Sequence, residues 1–202
     1  MKIDTGDFAD VRNRYERYVL MALEEFLATD HGRSYQDRLS AKDLQGIYAV
    51  TLNYLPARYI QPTTILLNSP TRAQEVAQAV KDAFEGVVKH DRQPGRKGSS
   101  PRLDAAHFAA VRNRNEKLVF TSLENFLVSD TGKTYREWFS VKDLQDIYAL
   151  ALNYLPSRYE LPGASNLNSP LRSQDADKAV LDAFELAFNH PRPAIPKVST
   201  NR

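Results

Sequence analysis

Asp143 to Tyr159 reads DLQDIYALALNYLPSRY, and Asp43 to Tyr59 reads DLQGIYAVTLNYLPARY. Two stretches this alike, 100 positions apart, make the chain a repeat. The register holds without insertion from Phe8 and Phe108 to His90 and His190, with about half of the paired positions identical. In the quoted stretch Leu144, Ile147, Tyr148, Leu150, Leu152 and Leu155 nearly surround a helix, and a helix apolar on most sides is a buried one. Burying a Leu or Ile side chain contributes about 1.5–3 kcal/mol before entropic costs, so this helix is the expected centre of each module. Pro56 and Pro156 end it, because proline lacks the amide donor and disfavours helix in the residue before it.

Working outward, Phe8, Val11, Tyr15, Val19, Leu23 and Phe26 with Leu27 recur at helical spacing, which predicts one helix from Phe8 to about Thr29, N-capped by Asp7. Asp30-His31-Gly32 is expected to stop it, as Asp130-Thr131-Gly132 is in the second copy. Ser40 with Asp43, and Ser140 with Asp143, have the Ser-x-x-acid spacing of a capping box at the start of the central helix. After the proline, Ala57–Leu67 reads as extended or irregular, with Arg58-Tyr59-Ile60 able to pair as a short strand. Ser69-Pro70 and Ser169-Pro170 then open a last helix that runs to about Lys89 and Asn189. The expected class is all-α, two tandem three-helix modules packed as a pseudo-two-fold dimer, because like modules associate most often through a two-fold. The boundaries are module 1 at 1–90, a flexible basic linker at 91–102, module 2 at 103–190 and a disordered tail at 191–202.

Composition removes whole classes of chemistry. The chain has no cysteine, which excludes disulfides, thiolate nucleophiles and Cys-ligated zinc, and fits a reducing interior. No apolar run approaches the ~18 residues a membrane span needs, and the N-terminus lacks an apolar signal core. A cytoplasmic protein without a membrane association is expected. The net charge is +2, and the surplus bases sit in the linker (Arg92, Arg96, Lys97, Arg102) and tail (Arg192, Lys197, Arg202), not in the modules. That distribution argues against direct DNA binding by a folded face. No phosphate loop, nucleophile elbow or HExxH is present, so neither an enzyme nor a metal site is expected.

Three constellations recur in both copies. The first is Arg12-Asn13-Arg14 with Arg112-Asn113-Arg114. Adjacent helical positions diverge by about 100°, so both arginines of a triplet cannot face the core. They either present guanidinium groups to phosphates or to guanine O6 and N7, or one is solvated while the other pairs with Glu16 or Glu116. The second is Arg72 and Arg172 in the first turn behind the Ser-Pro starts. A cation there opposes the helix dipole, so it either neighbours a bound anion or extends outward into water. The third is Arg58-Tyr59 and Arg158-Tyr159, able to stack on a purine, or else a tyrosine closing the core beside a surface arginine. Asn53, Asn153, Glu16 and Glu116 are polar residues on buried helices and are expected to form a structural hydrogen-bond lock. Asp43 and Asp143 cap helices, or accept from guanine N1 and N2 where exposed.

The run DIYALALNYLPSRY, Asp146 to Tyr159, resembles the hallmark of the late-competence ComFB family, and Asn113 with Glu116 resembles that family's Asn-x-x-Glu signature, repeated as Asn13 and Glu16. Gly46 stands where Asp146 stands in the second copy, and Ser140-Val141-Lys142-Asp143 replaces the cysteines of metal-binding members, so no zinc role carries over. The resemblance implies a small helical module that dimerises through its conserved helices. It also implies a receptor for cyclic di-GMP, as cyanobacterial ComFB-like proteins are. On that basis the chain is expected to be a non-enzymatic cyclic dinucleotide receptor without a cofactor, acting on a downstream protein such as a transcription regulator, with self-association a further option. Its ligand-binding candidates are Arg12, Arg14, Arg58, Tyr59 and Arg72 with Arg112, Arg114, Arg158, Tyr159 and Arg172. The alternative is a helical protein-interaction adaptor that binds no nucleotide.

Overall fold

The computed structural model describes residues 3–36, 38–61, 71–90, 105–135, 138–161 and 173–189. The linker at 91–102, the tail at 191–202 and the Ser-Pro helix starts at 69–70 and 169–170 lie outside the described residues. In the first copy a 3-10 turn at Thr5–Phe8 precedes β1 (Arg12–Asn13), α1 (Tyr15–Ala28), α2 (Asp30–Gln36), α3 (Ala41–Tyr54), β2 (Tyr59–Ile60) and α4 (Thr71–His90). The second repeats the order as α5 (Ala105–Phe108), β3 (Arg112–Asn113), α6 (Arg114–Val128), α7 (Asp130–Tyr135), α8 (Val141–Tyr154), β4 (Tyr159–Glu160) and α9 (Ser173–Asn189). The architecture is all-α in two like halves. Its one embellishment among the described residues is a pair of two-residue antiparallel ribbons, β1 with β2 and β3 with β4.

The predicted helix from Phe8 is divided in two. The Oδ1 atom of Asn13 accepts from the Tyr15 amide at 3.1 Å and from the Arg58 amide at 3.3 Å. One side-chain oxygen thus starts α1 and ties it to the segment after the proline. Asn113 repeats both bonds, to Asn115 at 3.1 Å and Arg158 at 3.2 Å. Phe8 and Val11 therefore do not extend the α1 stripe, which is Tyr15, Val19, Leu23 and Leu27.

Gly32 does not stop a helix either. Thr29 takes an extended conformation (φ −71°, ψ 159°), and its hydroxyl accepts from the Gly32 amide at 3.1 Å, so α2 begins at once. Gly32 is buried against α1, where a Cβ would overlap the Phe26 carbonyl oxygen, and Gly132 meets Phe126 in the same way. The capping boxes form as their spacing predicts. Asp43 N donates to Ser40 Oγ at 3.2 Å and Ser40 N returns a bond to Asp43 Oδ2 at 2.7 Å.

In each half the last long helix packs on the other two, α4 on α1 and α3, and α9 on α6 and α8. The cores are nevertheless not separate. Phe108, Val111 and Tyr159 complete the core of the first half, while Ile3, Phe8, Val11, Ala57 and Tyr59 complete that of the second. Phe8 lies 4.8 Å from the Tyr148 ring and Phe108 lies 4.9 Å from the Tyr48 ring, centroid to centroid. The polar contacts are reciprocal too. Asn53 brackets the Tyr159 backbone, donating to its carbonyl at 3.0 Å and accepting from its amide at 2.6 Å. Asn153 does the same for Tyr59, at 3.0 and 2.5 Å. Residue i touching j+100 while i+100 touches j is an isologous, pseudo-two-fold interface within one chain. No helix among the described residues is long and apolar enough to cross a membrane.

Candidate functional site

The pseudo-two-fold axis passes through a buried polar cluster. The proline of each copy, Pro56 or Pro156, turns the chain so that the tyrosine three residues on enters the opposite half, where Tyr59 and Tyr159 are each only 2% exposed. Their hydroxyls meet at 3.3 Å. The Tyr59 hydroxyl donates to Glu116 and the Tyr159 hydroxyl to Glu16, both at 2.8 Å, so each tyrosine serves the glutamate of the other copy. Asn113 Nδ2 donates to the Tyr59 hydroxyl at 3.0 Å. The expected structural lock is present, with its partners supplied across the axis.

Burial raises the pKa of both carboxyls. For Glu16 the bond from Tyr159 opposes that rise, the nearby Glu116 carboxyl adds to it, and Arg12 and Arg112 oppose it. For Glu116 the opposing groups are Tyr59, Arg112 and Arg12. Burial also drives both phenol pKa values far upward, so the tyrosines stay protonated. Proton counting gives the same direction as burial. With both glutamates ionised, each phenol proton is committed to a carboxylate, and the contact between the two hydroxyls has no proton. One added proton on either carboxyl fills it. That carboxyl then donates to its tyrosine, that tyrosine to the other, and the second tyrosine to the remaining carboxylate.

Arg12 and Arg112 are exposed on β1 and β3, and each lies near enough to act on both glutamates. The two guanidiniums are related by the pseudo-two-fold, and both lie within electrostatic reach of the same carboxyl pair. The other candidates are placed differently. Arg14 lies over the Tyr18 ring, 5.4 Å from its centroid, and donates to the Tyr18 hydroxyl at 2.9 Å. Arg114 instead pairs with Glu160 at 3.7 Å. Arg58 and Arg158 are half-buried, with their amides held by Asn13 and Asn113. Enclosed in the cores, Tyr59 and Tyr159 offer no ring face for stacking, and they close the core instead. Asp43 and Asp143 cap α3 and α8. The Arg72 side chain and the whole of Arg172 lie outside the described residues. Among the described residues no group of three His, Asp or Glu side chains is placed to hold a metal ion.

The axial role of Asn13 and Asn113 was not apparent from the arginines around them. The Asn-x-x-Glu spacing was the available signal, since it sets the cap and the axial carboxyl one turn apart. The family described as late competence development protein ComFB matches the chain twice, over residues 12–91 and 112–191. No curated protein and no solved structure matches it. Both matched segments open on an axial arginine and run through the buried helix and its crossed tyrosine. The chain therefore belongs to the late competence development protein ComFB family, as a tandem member with two family modules in one polypeptide.

Proposed function

We propose that the chain is a non-enzymatic receptor for cyclic di-GMP, in which ligand binding at the pseudo-two-fold alters what the paired modules present to a partner protein. One observation carries this reading. Arg12 and Arg112 are exposed, symmetry-related and within electrostatic reach of a single carboxyl pair. The ligand has two phosphates and two guanines related by a two-fold of its own, and guanidinium groups recognise both phosphate oxygens and the guanine O6/N7 edge. The family resemblance supplies the ligand class. Binding shifts the modules only to the extent that the ligand prefers one arrangement of them over another. No reaction on the ligand is part of the proposal.

Calorimetric titration of the full chain with cyclic di-GMP tests it. Arg12→Ala and Arg112→Ala should each remove a charge-assisted contact, about 1.5–3 kcal/mol, or about 10–100-fold in Kd. Arg14→Ala and Arg114→Ala should change affinity little, because those groups are engaged with Tyr18 and Glu160. Absence of binding at tens of micromolar ligand ends the receptor reading and leaves a protein-interaction adaptor. Binding that is indifferent to both axial arginines moves the site elsewhere.

A further inference from the structure

Four side chains lie in a row across the pseudo-two-fold, Glu16, Tyr159, Tyr59 and Glu116, joined by contacts of 2.8, 3.3 and 2.8 Å. Each of these contacts takes a single hydrogen. The two phenol protons fill two of them, and a carboxyl proton fills the third. With no carboxyl proton, the two hydroxyl oxygens face each other with no hydrogen between them. With both carboxyls protonated, the row holds more protons than contacts, and the surplus one has no acceptor in it. The geometry therefore favours a single added proton, which either end of the row can carry. Both glutamates are half-buried, within reach of water for that exchange.

The groups around the row are mostly neutral or already engaged. Tyr48 on α3 and Tyr148 on α8 flank the glutamates, and burial keeps both phenols protonated. Phe8 and Phe108 cover those two rings; beside them Asp7 accepts from the Asp4 amide and His107 is exposed. The buried side chains of α4 and α9 are apolar, Val80 and Phe84 in one and Val180 and Phe184 in the other. α2 and α7 pack at the far ends of α1 and α6, against Phe26 and Phe126. Next to the tyrosines in sequence, Arg58 and Arg158 are half-buried, and Glu160 pairs with Arg114. Two cations act on both carboxyls, Arg12 and Arg112. Arg112 directly precedes Asn113, whose amide donates to the Tyr59 hydroxyl. Burial raises the proton affinity of the carboxyl pair, and both guanidiniums oppose that rise.

An anion seated on those arginines offsets their field at the glutamates. The pair then holds a proton more tightly, and by reciprocity a protonated pair holds the anion more tightly. Removing one negative charge behind the guanidiniums also lessens the repulsion that a phosphate meets there. We propose that ligand binding at Arg12 and Arg112 draws up to one proton from solvent into the Glu16–Tyr159–Tyr59–Glu116 row, so that the receptor binds more tightly as pH falls. This linkage rests on the receptor reading and adds regulation to the same site. Uptake occurs between the pKa of the free pair and the higher pKa of the bound pair, so Kd rises with pH through that window and levels off on either side.

Calorimetry of the full chain with cyclic di-GMP, in MES and in imidazole at one pH, counts the protons taken up, because the two buffers ionise with different heats. The ligand's phosphodiesters stay ionised throughout and contribute none. An uptake of about 0.3–0.5 proton is expected within the window, where Kd should rise about two- to threefold per pH unit. Glu16→Gln supplies the missing hydrogen permanently from its amide. It should bind at the wild-type low-pH affinity at every pH, without uptake, and Glu116→Gln should act alike. Both variants keep all 4 histidines, which separates histidine titration from that of the row. Binding without proton uptake, or a pH dependence that both variants retain, overturns the linkage and leaves the receptor reading intact. Absence of binding overturns both. The count is made on the unaltered chain, so it decides the matter even where a variant fails to fold.

Discussion

Glu16 and Glu116 show most directly what a crossed fold does to a single side chain. Each sits on the first long helix of its own half, yet the hydroxyl it accepts comes from the other half. Burial holds both carboxyl pKa values above the ordinary 4.5. The sign of the consequence is opposite to that of most carboxylates. A raised folded pKa means that the native state holds these protons more tightly than the unfolded chain does. Their contribution is complete below the unfolded pKa and is lost as pH rises through the folded one. Urea unfolding of wild type and of Glu16→Gln/Glu116→Gln across that window should give stability curves that separate with rising pH, the wild type losing stability that the amide variant keeps. Parallel curves would mean that the axial carboxyls are ionised throughout. That Glu16 is half-buried and partnered was legible from its place on an apolar helix. Its partner was not, because periodicity orders residues along a chain and says nothing about which side chains meet across an axis.

The same limit explains the elements that were misread. Phe8 and Val11 fall in helical register with Tyr15 and Val19, so spacing alone joins them to α1. Their burial is real, but it is in the opposite core, and Asn13 breaks the helix between them. Gly32 presents a similar ambiguity. A glycine after an apolar stripe can end a helix or admit a neighbouring backbone, and here it does the second. Elements fixed by local chemistry follow the sequence directly, among them the Ser40 and Ser140 boxes and the proline stops, and the short pairing at Tyr59–Ile60 forms as well. Two glycines of one half can separate these roles. Gly32→Ala drives a Cβ into the Phe26 carbonyl and should cost about 1–3 kcal/mol as α2 is pushed off α1. Gly46→Ala, inside α3, meets nothing within 4 Å and should gain about 0.4–1 kcal/mol by stiffening the unfolded chain and favouring helix. Thermal unfolding should move the two Tm values in opposite directions. A shared direction would contradict the packing assigned to Gly32.

At the scale of the whole molecule, the halves are similar modules that cannot be separated without removing part of each core. The first half alone would lose Phe108, Val111 and Tyr159 from its core and expose the surface on which they pack. It has its own Phe8, Val11 and Tyr59 to offer in their place, and these now fill the equivalent sites in the second half. A second copy of the same half can therefore supply the crossed phenylalanine, valine and tyrosine, with Tyr59 meeting its own equivalent at a true two-fold. Residues 1–90 expressed alone should be a folded homodimer by light scattering, with a midpoint of unfolding that rises with protein concentration, as mass action requires when folding and association are one event. Phe8→Ala in that fragment removes one aromatic from each core, a change of about 3–5 kcal/mol per site, and should leave it largely unfolded at micromolar concentration. A folded monomer of residues 1–90 would show that the crossed contacts are dispensable. In the intact chain the same substitution acts on one core only, and the tethered partner needs no association from dilute solution, so the loss should be about half as large and independent of protein concentration. Tandem linkage thus fixes the pairing of two modules. It also lets the two faces diverge, which a homodimer cannot do: Trp138 and Phe188 stand where the first copy has Arg38 and Val88.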